Sequence, residues 1–293
     1  MKTKILLDTD IGTDIDDAVC LAYLLNNPDC ELLGITTVTG ESVQRAKIAS
    51  ALCMVSGRDI PIYPGAEKPL VIEQKQKIAQ QAVALERWNH KKQFPKGEAI
   101  EFLRHTIRQN PGEITLLTIG PLTNIGLLFS VDPEIPSLLK SLVMMCGYYE
   151  RKNKEAYPME WNAFGDYHAT KIVFDAGVPV LGAVGLDVTT QVRMSAAEVK
   201  SKFNHELLLP VVDFATVWFE TFYEYITFHD PLAAVSIFNK DVCAFTKGNV
   251  EIEIEDKDRL GLTKWQPCEN GKHEVALSVD KHLFFKEYFN VFE

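Results

Sequence analysis

The sequence predicts an α/β protein: a mostly parallel, doubly wound sheet flanked by helices, with a small antiparallel C-terminal appendix. Three observations lead there. Strand-like and helix-like segments alternate from the first residues onward, the order that βαβ crossovers produce. The strand-like runs are short and apolar, as expected where helices cover both faces of a parallel sheet. Near the C-terminus the pattern changes, and Val250 to Glu255 alternates strictly between apolar and acidic residues, the mark of a half-exposed strand.

Taken in order, Lys4 to Leu7 is an apolar run that ends in a polar turn, and Asp17 to Asn26 then spaces Ala18, Leu21, Ala22 and Leu25 as a helix does. Leu32 to Val38 is β-branched and apolar, Val43 to Val55 is helical in pattern and closed by Gly57, and Ile60 to Tyr63 is a third strand. Ile114 to Ile119 is another buried strand, leading through Gly120-Pro121 into a helix from about Leu122 to Phe129. Leu142 to Met145 and Val180 to Val184 complete the parallel set. Beyond Gly185 one long apolar helix is expected over Glu206 to Phe228 and another over His229 to Phe238. Val250 to Glu255, Leu260 to Thr263 and Val275 to Val279 form the antiparallel appendix. The polar segment Ile72 to Lys96 reads as a solvated helix rather than an insertion over a site. With no repeat, low-complexity stretch or linker, residues 1–293 read as a single domain.

The composition narrows the function. Of 293 residues 46% are hydrophobic and 24% charged, ordinary for a globular chain. A net charge of −10 argues against a nucleic-acid partner, whose phosphates need clustered Lys and Arg, and suits a small neutral ligand or a metal cation. The six cysteines are scattered without zinc spacing, so they read as reduced thiols of a cytoplasmic protein. The apolar stretch after Lys4 is too short for a signal peptide, and no run approaches the roughly 20 apolar residues that span a bilayer.

The strongest chemical signal is Asp8-Thr9-Asp10-Ile11-Gly12-Thr13-Asp14-Ile15-Asp16-Asp17-Ala18, five aspartates within ten residues where a strand gives way to a helix. Ligands of doubly wound sheets bind outside the carboxyl ends of the strands. So many carboxylates there repel one another unless a cation lies among them, and oxygen-only ligands select calcium or magnesium over zinc. A capped turn would use one aspartate, and Asp14 suits that task best. Three weaker signals follow. Gly120-Pro121-Leu122-Thr123-Asn124 is an ordinary turn that brings a possible carbonyl ligand, Thr123, to the same sheet edge. Glu160 and Asn162, two apart on an extended segment, could hold neighbouring hydroxyls; alone, the pair reads as surface polarity. His229-Asp230-Pro231 opens a helix, with Asp230 suited to the N-cap and Pro231 to the first turn, although a capping residue can also be a ligand.

Together these motifs resemble the inosine-uridine-preferring nucleoside hydrolase family over nearly the whole chain. Besides the aspartate block, Gly34-Ile35-Thr36-Thr37-Val38, Gly120 to Asn124, Glu160-Trp161-Asn162, Gly185-Leu186-Asp187-Val188-Thr189 and His229-Asp230-Pro231-Leu232-Ala233 stand in the family's order. The resemblance implies hydrolysis of the N-glycosidic bond of a nucleoside to free base and ribose. It implies a Ca2+ cofactor held by Asp10, Asp17, Asp230 and the Thr123 carbonyl, with Asp10 also the general base towards a calcium-bound water. Asp16, Glu160 and Asn162 would bind ribose, Met145 would lie near the anomeric carbon, Asp8 would support the cluster, and His229 would be the acid for the departing base. A homodimer or homotetramer is implied as well.

The chain departs from the family's pattern in three places. Asp14-Ile15 is a two-residue insertion, so Asp16 and Asp17 are aligned on the Asp-Asp-Ala that opens the helix. Glu41 stands where an Asn that contacts ribose is usual, and is carried as a substrate-binding candidate. No clear Gly-Asn segment precedes Glu160, and Asn153 is a poor substitute. Two rival readings follow. Asp8-Thr9-Asp10 also resembles haloacid-dehalogenase-like phosphotransferases, with Asp8 as nucleophile, yet Gly12 stands where that family has Thr or Val. A catalytically lapsed nucleoside or ribose binder is the other, with Glu41 its only support.

Overall fold

The protein is described by a computed structural model covering residues 2–152 and 159–293. Its sheet is built from β1 (Thr3–Thr9), β2 (Cys30–Thr37), β3 (Ile62–Pro64), β4 (Ile114–Thr118), β5 (Ser141–Met145) and β6 (Leu181–Val184). A two-stranded ribbon, β7 (Arg193–Ser195) and β8 (Tyr225–Thr227), stands apart, and β9 (Cys243–Ile252), β10 (Thr263–Pro267) and β11 (His273–Val279) return to the main sheet. The nine strands lie in the order β10-β9-β11-β6-β5-β4-β1-β2-β3. All pairings from β11 to β3 are parallel, and only β9 runs against its neighbours β11 and β10. The antiparallel appendix is therefore continuous with the parallel sheet, and its strand β11 joins β6 in parallel.

Central strands show why both faces must be covered. All five residues of β4 and all four of β6 are buried. In β1, Ile5 and Leu7 enter one apolar cluster while Leu6 enters another, because successive side chains point to opposite faces. β9 keeps the predicted alternation, with Val250 and Ile252 buried and Glu251 exposed, though it starts seven residues earlier than the alternation does. Among the described residues no helix is long and apolar enough to cross a membrane.

Three expectations require correction. The helix predicted over Glu206 to Phe228 ends at Thr221, because Tyr225-Ile226-Thr227, aromatic and β-branched, pairs with Arg193–Ser195 instead. The indole of Trp218 pins that change by donating to the Tyr225 carbonyl at 3.0 Å. Leu260–Leu262 forms a turn around Gly261 (φ +81°), and the strand begins only at Thr263. Ile72 to Lys96 is no solvated α-helix: it is irregular apart from a 3-10 helix over Gln80–Arg87, and Gln76 and Gln81 are buried.

The topology fixes where a ligand can sit. From β1 the chain builds outward through β2 and β3, then crosses back to place β4 on the other side of β1. The carboxyl ends of β1 and β4 thus flank the switch point, the crevice where open α/β sheets bind ligands.

Candidate active site

Helix Asp16–Asn26 starts at the end of β1, and helix His229–Phe238 packs against it. Both present acidic residues in their first turns, where the positive end of the helix dipole favours negative charge. One oxygen from each of Asp16, Asp17 and Asp230 lies within 4.8 Å of the others, and all three residues are buried. Asp10 is 6% exposed and lines the same cavity of about 740 Å³. Burial raises the pKa of Asp16, Asp17 and Asp230, and repulsion from neighbouring carboxylates adds to it; burial also raises that of Asp10, where Arg45 and the Gln76 amide pull the other way. Burial also lifts Asp14 to about 7.

Neither cap expected at these helices is made as foreseen. The position before the first helix is Ile15, and Asp14 instead accepts from the Ile15 N–H at 2.6 Å. Before the other helix stands Phe228, with no side-chain cap, so Asp230 lies within the first turn with its carboxylate free of that task. Its own N–H donates to Asp16 Oδ2 at 3.1 Å. Asp17 accepts from the Thr9 hydroxyl.

The neighbouring loops hold the rest. Gly120 is needed because a Cβ there would come within 2.8 Å of Asp10 Oδ1. Thr123 opens helix Thr123–Val131 and donates its hydroxyl to Asp166 at 2.8 Å. Glu160 and Asn162 are not surface polarity: they are 3% and 5% exposed and face the cavity. Nor is their segment extended throughout, since Glu160 caps helix Trp161–Gly165 and Asn162 lies in its first turn. The Glu160 carboxylate accepts from the N–H groups of Gly147, Asn162 and Ala163. Asn162 spends its amide protons on the carbonyls of Ile119 and Met145 at 3.1 and 3.0 Å, leaving Oδ1 as the atom it can offer. Met145, 4% exposed, ends β5 at the cavity floor.

His229 faces the cavity, and its Nδ1 lies 2.7 Å from the hydroxyl of Thr189. Burial, with Arg193 nearby, lowers its pKa to about 4, so the ring is neutral near pH 7. Asp187, from the same Gly185 to Thr189 block, accepts from the N–H groups of Tyr149, Glu150 and Arg151. Trp218, Phe222 and Tyr223 form an aromatic wall beside His229.

Asp8, Glu41 and Thr123 do not line this cavity. Asp8 is wholly buried: Thr36 and Asn124 donate to its Oδ1, its Oδ2 has no hydrogen-bond partner among the described residues, and burial raises its pKa to about 7. A carboxylate so enclosed cannot attack a phosphate, which removes the phosphotransferase reading. Glu41, at φ 59°, directs its carboxylate to the Ala79 N–H at 2.9 Å. Asn153 lies outside the described residues.

Two residues that the sequence reading passed over complete the site. Arg45 is fully buried and donates to the carbonyls of Asp10, Ile11, Gly40 and Ile78 and to the Thr13 hydroxyl. It brings positive charge beside Asp10 and Asp17. The available signal was its place on the apolar stripe of Ile48 and Leu52, three and seven residues on. Gln76 reaches the same loop from an irregular segment and donates to Asp10 Oδ2 at 3.0 Å.

The donor set suits a hard divalent cation. It is made of oxygens only, three carboxylates share one small space, and nearby Arg45 is committed largely to carbonyls. Residues 5–286 match the family model described as inosine-uridine preferring nucleoside hydrolase. The chain is 33% identical to a probable uridine nucleosidase 2 of Arabidopsis thaliana, over 89% of this chain and 85% of that one. It is 30% identical to the inosine-uridine preferring nucleoside hydrolase of Leishmania major, over 97% and 96%. A purine-preferring ribonucleoside hydrolase from Gardnerella vaginalis shares the fold at a TM-score of 0.85 and 24% identity, covering 99% of this chain and 98% of that one.

Proposed function

The chain belongs to the inosine-uridine preferring nucleoside hydrolase family and is a nucleoside hydrolase, cleaving nucleosides to base and ribose; from that premise we propose that it works with one calcium ion held in the aspartate cluster. The observation that carries this reading is the convergence of Asp16 and Asp17 with Asp230, over 200 residues away in sequence, on one buried point. Asp10, Asp17 and Asp230 would hold the ion, and Asp16 beside them would meet the ribose diol; the Thr123 carbonyl would join the shell on the family resemblance alone. When bound, the ion offsets the mutual repulsion of these carboxylates, orients water and sugar hydroxyls, and makes the water easier to deprotonate.

The residues divide the remaining work. Asp10 takes a proton from the attacking water, whose oxygen bonds to the anomeric carbon as the N-glycosidic bond breaks. That bond's electron pair leaves with the base; the neutral His229 would donate a hydrogen bond to it from Nε2, and a proton from solvent completes the free base. The tautomer in which Thr189 donates to Nδ1 puts the ring's only proton on Nε2. Positive charge grows on the sugar ring as the bond breaks, and the carboxylates around the cavity stabilise it without reorganising. Glu160 and Asn162 would grip the sugar, Met145 would pack near its anomeric carbon, and Trp218, Phe222 and Tyr223 would stack on the base.

The free cysteines support a cytoplasmic setting, and a homodimer or homotetramer belongs to the same proposal. A nucleoside panel followed by ultraviolet absorbance tests the function. At least one nucleoside releases its base, a chelator stops the release, and calcium restores it; release unaffected by the chelator contradicts the metal reading.

A further inference from the structure

Gln76 makes three hydrogen bonds with its side chain while 9% exposed. Its Nε2 donates to Asp10 Oδ2 at 3.0 Å and to the Thr13 hydroxyl at 2.6 Å, and its Oε1 accepts from Trp161 Nε1 at 2.6 Å. The orientation of the amide is unambiguous, since an indole N–H can only donate and so must face the oxygen. Both amide protons then point at the aspartate loop. One oxygen of Asp10 is fixed, and Oδ1 is left for other work.

The segment that carries Gln76 is held from several sides. The Gly40 N–H donates to the Gln76 carbonyl at 3.1 Å, and a Cβ on Gly40 would come within 2.5 Å of that oxygen. Arg45 reaches the Ile78 carbonyl, Glu41 accepts from the Ala79 N–H, and Gln81 donates to the carbonyls of Thr13 and Asp14. A polar side chain held so firmly against one carboxylate oxygen sets the angle at which that carboxylate meets its proton.

We propose that Gln76 is a positioning residue for Asp10, with Trp161 holding the amide in register, so that the seating of the segment from Gln76 to Gln81 sets the orientation of the Asp10 carboxylate towards the attacking water. The inference rests on Asp10 being the general base. Glu41 acts within it as an anchor of that segment through Ala79.

Three variants test this. Gln76→Glu keeps the length and an acceptor for Trp161 but replaces the donor facing Asp10. Gln76→Met keeps the length alone, and Trp161→Phe removes the indole donor while leaving a smaller aromatic ring in its place. We expect kcat to fall roughly 10- to 100-fold in both Gln76 variants, as for other supporting groups around metal sites, with KM changed less than about threefold. Trp161→Phe lowers kcat less, and adds nothing in a Gln76→Met background, since the two act through one amide. Independently of activity, the Trp161 indole proton exchanges slowly with solvent in wild type and quickly in Gln76→Met, read by 15N-edited NMR. Unchanged kcat in Gln76→Met, or a loss confined to KM, overturns the positioning role. If Asp10→Ala keeps wild-type turnover, the base assignment fails and the inference falls with it. If Asp10→Ala is inactive while Gln76→Met is normal, only the inference fails.

Discussion

The backbone N–H of Asp230 donates to the Asp16 carboxylate at 3.1 Å across 214 residues of sequence. That bond ties the first turns of two helices together and holds three acidic side chains closer than they would rest by themselves. The site therefore holds electrostatic stress that a bound cation would relieve.

Replacing Asp16 by Asn separates those two effects. An Asn oxygen can still accept from the Asp230 N–H, while one buried charge disappears. In calcium-free buffer the variant melts higher than wild type, by about 2–4 °C for each kcal/mol of repulsion removed. Its base release falls by about 100-fold or more, because the ribose contact proposed for Asp16 is weakened. Calorimetry and an absorbance assay on the same preparation check both parts.

On the proposed mechanism, Asp10→Ala removes both a metal ligand and the proton acceptor. Turnover drops by roughly three orders of magnitude or more. Near wild-type rates would refute the role given to this residue.

His229→Ala lowers turnover of purine nucleosides more than that of pyrimidine nucleosides, by about 100-fold against less than tenfold. Thr189→Val, which keeps the shape and loses the hydroxyl 2.7 Å from Nδ1, moves activity in the same direction. Equal losses across the nucleoside panel would count against His229 as the group that assists the departing base.

His273 gives the fold an acid-sensitive point far from the chemistry. The Val250 N–H donates to its Nδ1 and its Nε2 reaches the Phe174 carbonyl, both at 2.9 Å. That pair of bonds requires the neutral ring, and burial lowers the pKa accordingly. A histidine with a lowered folded pKa contributes stability that is present above the unfolded value of about 6.5 and is lost as pH falls below it. Between about pH 7.5 and pH 5.5 wild type loses more stability than His273→Leu does. Urea midpoints at the two pH values measure the difference.

Much of this was legible in the sequence, for identifiable reasons. The parallel sheet showed because β4 and β6 are buried throughout and so read as unbroken apolar runs. Most of the aspartate cluster showed because five aspartates fall within ten residues at a strand end. Gln76 left no local signal, since a polar residue of ordinary type joins the site only through tertiary approach. The break after Thr221 was missed because Tyr225-Ile226-Thr227 is as apolar as the helix before it, and only pairing with Arg193–Ser195 decides its state. Glu41 was read from its place in a motif, yet its carboxylate is directed to Ala79.

Calcium binding by chelator-treated protein, followed by isothermal titration calorimetry beside a base-release assay, tests the central claim most directly. The account predicts one ion per chain, with base release returning over the same calcium range, and an Asp230→Asn variant that has lost both. Full base release by the stripped wild-type protein, or calcium binding left intact in Asp230→Asn, would contradict it.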